Sequence, residues 1–69
     1  MTQKELLYVE DAIGHEKTIL SMLNSSIEQI EDEDLKVYLE DEVKIHTKQE
    51  DELLKLLEEL VNEWSNING

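Results

Sequence analysis

Cysteine, proline and phenylalanine do not occur in this 69-residue chain, and glycine occurs only at Gly14 and Gly69. Without cysteine no disulfide can brace the fold, and cysteine use gives no sign of the compartment. Without proline, and with so little glycine, the punctuation that normally divides strands and hairpins is missing, so a β-rich fold is excluded. Aromatic side chains are few: Tyr8, Tyr38 and Trp64. Basic residues are also scarce, six against 18 acidic ones, for a net charge of −12. A chain this acidic is repelled by phosphate backbones and anionic lipid, which argues against nucleic-acid and membrane-surface roles. It attracts cations or a basic protein partner instead. No uninterrupted apolar run approaches the roughly 20 residues that a membrane span requires. The opening MTQKELLYVEDAIG has no basic segment followed by an apolar one, so a secretion signal is not expected and the default location is the cytoplasm.

What is present is a helical composition rich in Glu, Leu, Lys, Ile and Asp. Thr2 followed three residues later by Glu5 fits a capping box, and apolar residues begin at once. Leu6, Val9, Ile13, Leu20, Leu23, Ile27 and Ile30 recur at spacings of three and four, which defines one apolar stripe. The stripe position between Ile13 and Leu20 is held by Glu16. A second stripe carries Leu35, Leu39, Val43, His46, Leu53, Leu56, Leu57, Leu60, Trp64 and Ile67. Its middle is polar, with Glu42, His46, Gln49 and Glu50 on or beside the seam.

One continuous helix does not fit. Extending the first stripe by heptads lands on Asp34, Asp41, Lys48, Lys55 and Asn62, all polar. The phase breaks across Glu31–Asp34, where acidic residues suit a helix N-terminus and oppose a C-terminus. The sequence therefore predicts a single domain over residues 1–69: a helix over about 3–30, a turn near 30–33 with Asp32 as N-cap, and a helix over about 33–66. The Asn24-Ser25-Ser26 stretch is a weaker alternative for the turn. Gly14 falls inside the first helix, where it either permits a close approach or has no packing role. The expected fold is all-α, an antiparallel two-helix hairpin. Domains of this size are marginal unless a metal, disulfides or oligomerisation supports them. Two helices bury one stripe each, so the hairpin is expected to form a four-helix bundle as a homodimer.

Folding the chain about residue 32 places Glu16 opposite Lys48 and level with His46, Gln49 and Glu50. The charged interruption of one stripe thus falls opposite the polar interruption of the other. A carboxylate on a core stripe must be paired or bound to metal. Carboxylate with imidazole suits iron, zinc or manganese, so Glu16, His46, Glu50 and Gln49 are candidate metal ligands. The alternative is a hydrogen-bonded layer of Glu16, His46 and Glu50 that sets register. Glu16 at the stripe's edge, reaching water, is a third. His15, about 100° further round, is expected in solvent or at a dimer contact, and Tyr8 and Tyr38 at the core edge. No nucleophile elbow or phosphate-binding glycine loop occurs, so nothing supports hydrolase or nucleotide chemistry.

The segments ELLYVEDAIGHEKTI and EDEDLKVYLEDEVKIHTKQEDELLKLL, which together cover most of the chain, resemble small ferritin-like proteins of endospore-forming bacteria, including spore-coat-related and rubrerythrin-like hairpins. That pattern has a glutamate on the first helix, an acidic or Asp-Pro turn, and Glu-x-x-His or His-x-x-His on the second helix. Glu16 matches the glutamate and His46 the first position of the second motif, whereas Gln49 stands where histidine is found. The resemblance implies a ferritin-like four-helix assembly whose metal centre is altered or lost. Two functions follow as expectations. One is a structural or protein-interaction role in a spore-associated setting; the other is metal binding of the di-iron type with oxidase or storage activity.

Overall fold

The computed structural model describes the backbone of residues 2–68 and the side chains of residues 2–66. Ile67, which continues the second stripe in sequence, lies outside the described side chains. The described chain is two α-helices, α1 (Gln3–Gln29) and α2 (Glu33–Asn68), packed against each other. Among the described residues there is no strand.

Both helix starts are built by side chains that satisfy otherwise orphaned N–H groups. At α1, the Glu5 N–H donates to Thr2 Oγ1 at 3.1 Å, and the Thr2 hydroxyl donates to Glu5 Oε1 at 3.1 Å. The carboxylate therefore meets the cap's hydroxyl instead of its backbone N–H, a variant of the capping box. At α2, the Leu35 N–H donates to Asp32 Oδ1 at 2.9 Å. Glu33 and Asp34 add negative charge to the first turn, where the helix dipole favours it. Helix α1 ends differently. Ile30 leaves the helix with extended backbone (φ −82°, ψ 133°) while its N–H still donates to the Ser26 carbonyl at 3.0 Å. No left-handed residue is needed to turn the chain, so no glycine is required there. Asn24, Ser25 and Ser26 run through as helix, and the connection is only Ile30, Glu31 and Asp32.

The antiparallel seam follows the two stripes. Leu6, Val9, Leu20, Leu23 and Ile27 of α1, with Ile30 at its C-cap, are half-buried, as are Leu39, Val43, Leu53, Leu57 and Leu60 of α2. Ile13, 7 % exposed, is the only buried side chain among those described. Three residues of the expected second stripe stay exposed: Leu35, Leu56 and Trp64. Leu35 sits in the first turn of α2, beside the connection, and Leu56 lies on the flank of the seam. Trp64 lies near the far end of α2. With the turn centred on Glu31, residue i pairs with residue 62 − i, so Gln3 falls level with Glu59. The rest of α2 runs on by about 13 Å, at roughly 1.5 Å per residue. The molecule is a rod of 53 × 15 × 12 Å between Cα extremes.

Candidate functional site

The site is the polar layer halfway along the hairpin. Glu16 is the central residue of α1, and the rhythm of its stripe points it at α2 between Ile13 and Leu20. His46 occupies a seam position of α2 between Val43 and Leu53. The two meet: His46 Nδ1 lies 2.7 Å from Glu16 Oε2. With Glu16 ionised, the ring nitrogen donates and the carboxylate accepts, a short charge-assisted bond. The side chains are only 21 % and 14 % exposed. On the other side of the ring, His46 Nε2 lies 3.7 Å from Glu42 Oε2, one helical turn earlier on α2. The imidazole therefore sits between two carboxylates, one from each helix. When both ring nitrogens carry protons, both face an acceptor of opposite charge.

The partner of Glu16 is thus His46 and not Lys48, which is exposed. The turn centres on Glu31 instead of Asp32, and that shift moves the opposing position by two residues. Gln49 lines a shallow groove with Glu16, Glu52, Leu53 and Leu56. Glu50 is half-buried but does not line that groove. Of the four candidate ligands, then, the structure joins Glu16 and His46, places Gln49 beside Glu16, and puts Glu50 on the other side of the seam. Among the described residues, no group of three or more His, Cys, Asp or Glu side chains is placed to hold a metal ion. Glu42 is the member that a search for Glu-x-x-His spacing passes over. Its signal was the i, i+4 offset from His46, which puts both side chains on one face of a helix.

Comparison with protein families, with curated proteins and with solved structures finds no match to this chain.

The remaining residues noted in the sequence lie away from the layer. His15, Glu10 and Asp11 are exposed. Tyr8 and Tyr38 are each 60 % exposed, further out than a core edge. Lys4 Nζ stands 5.8 Å from the centroid of the Tyr8 ring, a cation–π contact at the open end of the hairpin. Gly14 allows no close approach: a Cβ built there meets nothing within 4 Å. Among the described residues no helix is long and apolar enough to cross a membrane.

Proposed function

We propose that this chain is a structural or protein-interaction module: a small acidic hairpin that becomes a four-helix bundle by pairing with a second copy. The observation that carries the reading is the near absence of a core. One buried side chain among those described cannot offset the conformational entropy of ordering some 65 residues at about 1–2 kcal/mol each for the backbone alone. The seam supplies two half-buried stripes, and a second layer of helices converts half-burial into burial. The resemblance to ferritin-like hairpins of endospore formers supports the same architecture and a place in a spore layer. In this reading the Glu16–His46–Glu42 layer is the hydrogen-bonded polar section of the bundle. The di-iron reading has less support, because among the described residues the donors of one hairpin do not gather into a metal centre and would need the second chain to complete them.

The test is thermal melting followed by circular dichroism over a range of protein concentrations. A self-assembling fold melts at higher temperature as concentration rises, because association is linked to folding by mass action. A melting temperature independent of concentration, in a chain that is cooperatively folded, contradicts the proposal.

A further inference from the structure

The two flanks of the hairpin differ, and the difference identifies the face that meets the second copy. One groove beside the seam is lined by Glu16, Gln49, Glu52, Leu53 and Leu56; the other is lined by Asn24, Ile27, Glu40, Val43 and Lys44. At 3.6 residues per turn, Gln49 and Glu52 lie on the opposite side of the α2 seam from Glu40 and Lys44. Tyr38 and Ile45 precede Glu52 by two heptads and one, so they share its flank. On α1, Ala12, Ile19 and Leu23 stand at i−4, i+3 and i+7 from Glu16, so they run along the same side. Ala12, Ile19 and Leu23 are half-buried, and Tyr38, Ile45 and Leu56 are exposed. The flank therefore presents Tyr38, Ile45 and Leu56 as exposed apolar groups, with Glu42 and Gln49 toward the seam and Glu52 at its margin. The other flank carries Glu40, Lys44, Asp51 and Glu58 beside the exposed apolar Leu54 and Val61.

We infer that a second copy of this chain docks on the Ala12–Ile19–Leu23 and Tyr38–Ile45–Leu56 face, with the Glu16–His46 layers of the two chains level at its centre. The inference rests on the self-assembly proposed above and adds the surface and its register. Three features favour a second copy as the occupant. The first is area. A compact chain of 8.1 kDa exposes roughly 4,500 Å² by the surface–mass relation for monomers. This hairpin exposes 5349 Å². The excess of roughly 850 Å² is close to the ~800 Å² that each partner contributes to a specific interface. The second is chemistry: Tyr38, Ile45 and Leu56 are exposed on this face, and a second copy supplies the same apolar side chains to cover them. The third is position. Glu16 is the midpoint of Gln3–Gln29, so a twofold pairing centred on α1 brings the two polar layers to the same level. A shift by one heptad would set the Glu16–His46 pair of each chain level with Val9 or Leu23 and with Leu39 or Leu53 of the other, against apolar side chains.

The chain has no cysteine, so single-cysteine variants give an unambiguous readout. Ile45→Cys probes the docking face, and Leu54→Cys, two heptads after Glu40, probes the opposite flank. In the lone hairpin the two native side chains are similarly open, Ile45 at 49 % and Leu54 at 41 %. Each variant, freshly reduced and shown by circular dichroism to be helical, is reacted with a maleimide, and the mass of the same sample is measured in solution. Tyr38→Cys serves as a second probe of the docking face should Ile45→Cys fail to fold. The expected result is a dimer in which Ile45→Cys reacts about tenfold or more slowly than Leu54→Cys when the dimer is well populated. A dimer in which both react alike, or in which Leu54→Cys is the protected one, overturns the face and leaves self-assembly standing. A folded monomer with both sites reactive overturns the self-assembly itself.

Discussion

Glu16 and His46 hold the middle of the seam together, because a carboxylate and an imidazole this little exposed stay in place only when hydrogen-bonded. Removing Glu16 leaves the Nδ1 side of the half-buried His46 ring without its acceptor, and removing His46 takes from Glu16 its partner at 2.7 Å. Glu16→Ala is therefore expected to lower stability by about 1.5–3 kcal/mol, the range for a hydrogen bond to a charged group. The check is urea unfolding of Glu16→Ala, His46→Ala and the double variant. The double variant should be much less destabilised than the sum of the singles, and simple additivity would count against a direct pair. Gly14 gives a prediction of opposite sign. It is exposed inside α1 with open space around its missing Cβ, so Gly14→Ala should stabilise the protein by about 1 kcal/mol in the same assay. A loss of stability there would show that the site is covered by something the lone hairpin does not contain.

Among the elements, the caps are where sequence and structure agree most closely. Asp32 accepts from the Leu35 N–H, and Asp32→Ala should cost about 1 kcal/mol, read by thermal unfolding; Asp32→Asn should restore most of it. Both starts were legible because a capping side chain and an acidic first turn are local signals that need no knowledge of the fold. The seam was legible for the same kind of reason, since spacings of three and four mark one face of a helix whatever packs on it. Register was harder. The sequence puts the fold axis at Asp32 and pairs Glu16 with Lys48, whereas the structure puts it at Glu31 and pairs Glu16 with His46. The reason is the end of α1: Ile30 leaves in an extended conformation without glycine or proline to mark the stop. The flank was harder again. Ala12 and Ile19 are half-buried just off the first stripe, and a search for one stripe per helix passes over the second face that a four-helix bundle requires.

At the scale of the whole molecule, two quantities oppose each other. A thin rod with one buried side chain among those described favours association, and a net charge of −12 per chain resists it. Salt should shift that balance. Raising sodium chloride from about 0.01 M to about 0.15 M shortens the screening length from roughly 30 Å to roughly 8 Å, so the melting temperature should rise with salt. A fall would mean that attractive ion pairs, and not self-repulsion, dominate the surface. The long α2 fits the same account, since it runs on past the level of Gln3 and presents Val61 and Trp64 as exposed apolar groups. The most direct test of the central claim, that this hairpin is half of a bundle, is its mass in solution by sedimentation equilibrium. The account predicts twice the 8.1 kDa chain mass, with dissociation on dilution accompanied by loss of helix. A single 8.1 kDa species that stays fully helical across the dilution series would contradict it.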